Sequence, residues 1–245
     1  MEDRYIKQTM LGQVGKTGQA KLRKAHVIVI GAGGLGSPVL TYLAMAGVGH
    51  LTLADSDTVS LSNLNRQFLY DEDCLGASKT DSALERLYGL NSDIEIDSVD
   101  DILTEENARM ILDGFDLVIG AVDSYEARYA INRAAVRLGI PYIDGGADGF
   151  SGRVMFSHPP KTPCLNCVFP QPDSGQSGNA KHAGILGTTS GMVGTIEANI
   201  ALLWLLGQNN PAENKLLFYD GLKMSMDMIE IKRDGNCPVC KGGAA

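Results

Sequence analysis

The sequence predicts an α/β fold: a doubly wound, mainly parallel, Rossmann-like sheet extended by a C-terminal antiparallel portion with a four-cysteine zinc site. Three observations predict it. Short β-branched runs alternate with helix-period segments from His26 to Phe150, a glycine-rich turn follows the first run, and beyond Gly152 the pattern shifts to short strands and turns that end in the second of two C-x-x-C pairs.

Each element has its own signal. The run His26 to Ile30 is a strand that stops at Gly31-Ala32-Gly33-Gly34-Leu35-Gly36, and Leu35 to Ala46 is a helix with Gly47 and Gly49 as its stop. A second strand, His50 to Ala54, ends in Asp55-Ser56-Asp57, with the polar segment Ser60 to Gln67 after it. Lys79 to Leu90 carries helical spacing, Asp93 to Val99 alternates as a strand, and Thr104 with Glu105 and Glu106 reads as a helix start. Asp116 to Val122 is an apolar strand, and Ser124 caps a helix whose Ala127, Ala130, Ile131, Ala134 and Leu138 share one face before Gly139. Pro141 to Asp144 opens the next strand, Gln171 to Gly184 is expected to be mobile, and two strands near Leu216 to Tyr219 and Met226 to Ile231 lead to the last cysteines. One domain is expected, comprising a helical arm (1–25), a nucleotide-binding part (26–150) and a partner-binding and zinc-binding part (151–245).

Composition narrows the function. A net charge of −8 with mixed signs removes the basis for general nucleic-acid binding. The opening MEDRYIKQT has no basic, apolar and small-residue leader pattern, so the chain reads as cytoplasmic. The greasy stretch from Ile200 to Leu206, with Glu197 just before it, is short of the roughly 20 residues of a membrane span and reads as a buried helix. Of five cysteines, four form C-x-x-C pairs and Cys74 stands alone as a small buried hydrophobe.

In a doubly wound sheet, ligands bind beyond the carboxyl ends of the strands. The glycine turn, Asp55 and Asp57, the Asn63 to Gln67 segment and Asp123 all fall there. A glycine turn between strand and helix lets backbone amides approach phosphate. With an acid about 20 residues downstream it suits a nicotinamide dinucleotide equally well. Arg66 within Ser62-Asn63-Leu64-Asn65-Arg66-Gln67, together with Lys79, favours nucleoside triphosphate chemistry, because fixed cations stabilise the charge that builds as pyrophosphate departs. Asp123 at a strand end is a natural magnesium partner. Cys164, Cys167, Cys237 and Cys240 offer four thiolates, so the zinc role they predict is structural.

Together these motifs resemble the ubiquitin-activating-enzyme-like adenylyltransferases of the MoeB, ThiF and HesA type, which activate sulfur-carrier proteins for molybdopterin or thiamine biosynthesis. The likeness runs through Arg4-Tyr5-Ile6-Lys7-Gln8, GAGGLG, LTLADSDTVSLSNLNRQFLY, GASK, DLVIGAVDS and both cysteine pairs in order. It implies that ATP and magnesium bind at the sheet edge, and that the C-terminal glycine carboxylate of a small ubiquitin-like, Gly-Gly-ended carrier protein attacks the α-phosphate. It further implies that Gly31, Gly33, Gly34 and Gly36 form the nucleotide turn and that Asp55 holds the ribose, with Asp57 close by. Asn63, Arg66, Gln67 and Lys79 then serve the phosphates, and Asp123 binds magnesium. Members are homodimers in which an N-terminal arginine enters the neighbouring site. Here Lys7 stands at that position, keeping the charge without the planar fork. Where thioester-forming relatives carry a cysteine, this chain has Ala180, Lys181 and His182, which implies an enzyme that stops at the adenylate.

Overall fold

The computed structural model describes residues 4–171 and 184–241. The chain opens with two short helices, α1 (Ile6–Thr9) and α2 (Gly15–Leu22). The winding part follows as β1 (His26–Ile30), α3 (Gly36–Ala46), β2 (His50–Ala54), α4 (Lys79–Leu90), β3 (Glu95–Val99), α5 (Ala108–Leu112), β4 (Leu117–Gly120), α6 (Tyr125–Leu138) and β5 (Tyr142–Asp148). Then come β6 (Ser151–Ser157), α7 (Leu165–Val168), α8 (Gly187–Leu206), β7 (Lys215–Asp220) and β8 (Ser225–Glu230). The strands form one sheet in the order β3-β2-β1-β4-β5-β6-β7-β8. Pairing is parallel from β3 to β5 and antiparallel from β5 to β8.

Both faces of the parallel part are covered, which is why its strands read as continuous apolar runs. Val27 and Val29 pack on one face with Leu40, Leu43, Leu51 and Leu53. Ile28 and Ile30 pack on the other with Val118, Ile131 and Ala134, so the predicted apolar stripe of α6 is the one that meets the sheet. Ser124 caps α6 through its Oγ, which accepts the Ala127 N–H at 3.1 Å.

Strand ends shift by one or two residues from the sequence expectation, and larger differences lie at three places. The helix expected to start at Thr104 starts at Ala108, because Asn107 accepts the Thr104 N–H at 2.7 Å and donates to Ile102 O at 2.9 Å, holding a turn first. β5 runs on through Gly145 and Gly146 to Asp148, since antiparallel pairing with β6 continues where parallel pairing with β4 has ended. The apolar stretch after Glu197 belongs to a helix of 20 residues, α8, long enough by length and composition to cross a membrane. It packs instead against α3, β5 and β6 as a core helix of the sheet. Cys74 is half-buried against the same core, its thiol donating to Asp71 Oδ1 at 3.4 Å. Ala180, Lys181 and His182 lie outside the described residues.

Candidate active site

β1 and β4 are neighbours whose following helices, α3 and α6, join opposite cores, so a crevice opens between the connections. A cleft of about 920 Å³ occupies it. Gly31, Gly33, Gly34, Asp55, Asp57, Arg66, Gln67, Lys79 and Asp123 all line this one cleft. Of the residues that the sequence assigns to the nucleotide, Gly36, Asn63 and Lys7 do not line it.

The glycine turn is tight for steric reasons that can be assigned position by position. Gly31 has φ +98°, and a Cβ there would lie 2.5 Å from Ala121 O. A Cβ on Gly36 would lie 2.0 Å from Gly31 O, so only glycine lets the turn close onto itself there. Gly33 is more open, since the nearest atom to a Cβ at that position would be Gln67 Nε2 at 3.5 Å.

Acids and cations from separate elements converge beside this turn. Asp55 Oδ2 accepts the Ala32 N–H at 2.8 Å and Oδ1 accepts the Asp57 N–H at 2.9 Å, which fixes the carboxylate against the turn. Lys79, buried at the start of α4, donates to Asp57 Oδ2 at 2.8 Å and lies 3.9 Å from Asp55 Oδ1. Arg66 donates to Ser62 O at 3.0 Å and Asn65 Oδ1 at 2.8 Å. Gln67 is buried with an unpartnered Oε1. Asn63 caps its own turn by accepting the Ser60 N–H at 3.1 Å. Asp123 is exposed at the mouth of α6, with no hydrogen bond or ion pair among the described residues. Lys7 is exposed on α1, and Arg4 is tied to Leu90 O at 2.8 Å and Asp93 at 3.3 Å in its own chain.

A second charged group in the cleft wall went unread in the sequence. Asp144 on β5, 1 % exposed, accepts from Arg128, from Arg153 Nη1 at 2.6 Å and from Tyr142 Oη at 2.8 Å. Arg128 also donates to Gly145 O at 2.7 Å and Val122 O at 2.8 Å. Burial alone would raise the Asp144 carboxyl, but the charges of Arg128 and Arg153 overcome it and hold it below its ordinary range. Glu197 on α8 is 0 % exposed with neither carboxylate oxygen hydrogen-bonded. Burial, then the charge of Asp144, pushes it well above the ordinary range against the opposing pull of the two arginines. The one sequence signal for this group was an acid, Glu197, on the border of an apolar run.

The four predicted cysteine ligands meet on the far side of α6. Their Sγ atoms all lie within 4.8 Å of one another. Cys164 and Cys167 are 3.8 Å apart, Cys164 and Cys237 3.6 Å, and Cys167 and Cys240 3.3 Å. Tetrahedral zinc with Zn–S of about 2.3 Å sets sulfurs about 3.8 Å apart, so the cluster fits that ion. Burial pushes the Cys167 thiol up to about 11 and Cys164 higher still, a state that a bound cation would reverse. Val136 of α6 and Val239 pack around the sulfurs.

Comparison with known proteins identifies the family. A model of the ThiF family matches residues 5–239. The sulfur carrier protein adenylyltransferase of Thermus thermophilus is 42 % identical over 97 % of this chain and 90 % of its own length. The sulfur carrier protein ThiS adenylyltransferase of Escherichia coli is 37 % identical over 99 % of this chain and 96 % of its own. Among solved structures, Escherichia coli MccB with ATP superposes with a TM-score of 0.86 over 98 % of this chain and 75 % of that one, at 22 % identity, a likeness of fold. The chain belongs to the ThiF family, as an adenylyltransferase of that family.

Proposed function

We propose that the chain is an ATP-dependent enzyme that adenylylates the C-terminal glycine carboxylate of a small ubiquitin-like sulfur carrier, releasing pyrophosphate. The observation that carries this reading is the convergence of Asp55, Arg66 and Lys79, from the segment between β2 and the start of α4, with Asp123, from the β4–α6 connection, on one strand-end cleft. The glycine turn and Asp55 suit the nucleoside, while Arg66 and Lys79 suit its phosphates. A carboxylate oxygen of the carrier would bond to the α-phosphorus as the bond to the bridging oxygen breaks, and pyrophosphate would leave with the electron pair. Both cations would be held in place before charge develops, the condition under which fixed groups stabilise a transition state most. Asp123, exposed and unpaired, suits magnesium, which when bound would neutralise charge on the departing phosphates.

Exposed apolar side chains at the antiparallel end, including Phe150, Phe218, Leu222 and Met224, give a protein partner a surface to dock on, while Met226 and Met228 stand on the sheet face opposite Phe218. Phe218 also lines the cleft, so that surface reaches the proposed chemistry. The homodimer in which Lys7 serves a neighbouring site, and a phosphate role for Asn63, remain part of the same proposal. Zinc on Cys164, Cys167, Cys237 and Cys240 would pin the C-terminal segment to α7 and its N-cap.

Exchange of labelled pyrophosphate into ATP, in the presence of magnesium and a Gly-Gly-ended carrier, tests the function. Exchange should occur and should fall by at least about 100-fold in Asp123→Ala, with the melting temperature unchanged. Absence of exchange in the parent protein refutes the function, and full exchange in the variant removes Asp123 from it. Elemental analysis should find one zinc per chain, lost in Cys237→Ser together with much of the thermal stability. A metal-free parent of equal stability would refute the zinc role.

A further inference from the structure

Among the described residues, one arginine of the cleft makes a single hydrogen bond. Among the described cations that line it, Arg66 is engaged by Ser62 O and Asn65, Lys79 by Asp57, and Arg133 by Glu105 and Gln171. Arg128 is engaged by Asp144, Gly145 O and Val122 O. Arg153, on β6, makes one hydrogen bond among the described residues, from Nη1 to Asp144 Oδ2.

Its position is nevertheless fixed. The guanidinium carbon lies 4.4 Å from the centroid of the Phe169 ring, and Nε lies 3.3 Å from where a Cβ on Gly146 would be. Packing on those sides leaves the side chain 22 % exposed, and it lines the cleft. A guanidinium so held is preorganised for a carboxylate, because little rotamer freedom remains to be lost on binding.

We propose that Arg153 receives the C-terminal carboxylate of the acceptor tail, holding one oxygen while the other is left to attack the α-phosphorus. This rests on the proposed function and adds the residue that recognises the reacting group. The surrounding charge supports it. Asp144 is shared by two arginines, and Glu197, whose carboxyl group packs so tightly on Gly145 that a Cβ there would lie 2.3 Å from it, is pushed well above its ordinary range by burial. Two guanidinium groups thus share the single hydrogen-bonded carboxylate of Asp144 next to the cleft. A tail carboxylate is the complementary anion, whereas the acyl adenylate no longer carries that charge. Arg153 thus favours the incoming acid over the esterified product and does not retain the latter.

The test uses a Gly-Gly-ended ubiquitin-like carrier in two forms, the free acid and the C-terminal carboxamide. Each is titrated calorimetrically into the full chain holding a non-hydrolysable α,β-methylene analogue of ATP. The parent protein should bind the acid about 10- to 100-fold more tightly than the amide, the range of one hydrogen bond to a charged group. Arg153→Gln should bind both forms with the affinity of the amide while binding the ATP analogue normally, and Arg153→Lys should restore part of the preference. An acid preference that persists in Arg153→Gln overturns the assignment. Equal binding of acid and amide by the parent overturns it without recourse to any variant. A parent that shows neither carrier binding nor pyrophosphate exchange fails the functional reading itself, and this assignment with it.

Discussion

One wall of the cleft, formed beyond β1, β2 and β4, is built from the glycine turn and from side chains of the connections, some fixed by backbone amides or a single ion pair and Asp123 by none among the described residues. The opposite wall, formed by β5, β6 and α6, presents Arg128 and Arg153, with Asp144 and, on α8, Glu197 behind them, brought together by the β5–β6 register and by helix packing on the sheet. Backbone shape organises the first wall, so its residues are replaceable where space allows. Paired charge in a dry interior organises the second, where removal of one partner strands the others. The two therefore differ in what breaks them.

The largest effect is expected at the centre of the second wall. Asp144→Ala leaves the buried Arg128 without its counter-charge and should cost about 3–5 kcal/mol in urea denaturation. A loss below about 1 kcal/mol would mean that the remaining carbonyl partners suffice, and the contrast between the walls would disappear. In the first wall, Gly36→Ala drives a methyl group into Gly31 O and should cost about 1–3 kcal/mol, with weakened ATP binding by thermal shift.

Glu197→Gln sharpens the contrast by sign. The folded Glu197 carboxyl titrates above its unfolded value of 4.5, so its contribution is complete below that pH and is lost as pH rises through the folded value. The parent should therefore lose about 1.4 kcal/mol per pH unit within that window relative to Glu197→Gln, seen by comparing denaturation at pH 5 and pH 7. Parallel pH profiles would show that Glu197 is charged in the fold. Asp144, held low by its arginines, acts in the opposite direction, with its contribution present at neutral pH and lost in acid. The smallest effect belongs to Gly33→Ala, which meets only the Gln67 amide at 3.5 Å and should change stability by less than about 0.5 kcal/mol.

The same contrast explains what could be read in advance. The parallel part of the sheet, the glycine turn, Asp55, Arg66, Lys79, Asp123 and both cysteine pairs are legible because strand ends and short spacings mark them locally. Asp144 was visible only as the last residue of a strand. Its importance depends on Arg153 arriving through an antiparallel pairing and on Arg128 one helix away, neither of which leaves a periodic trace. Gly36 matched the motif yet supports the turn sterically, and Asn63 caps a turn. A motif fixes which residue types are present without fixing which of them line the cleft. The early start given to α5 failed for a related reason, because the Asn107 side chain competes with the helix for the same backbone groups.

By gripping Val122 O as well as Asp144 and Gly145 O, Arg128 forms a strut between the connection that carries Asp123 and the strand that leads to Arg153. Occupants of the two walls then share one mechanical link. Whatever factor a nucleotide adds to the hold on a second ligand across that link, the second ligand must return to the nucleotide in equal measure, so order of addition cannot alter the stability of the ternary complex.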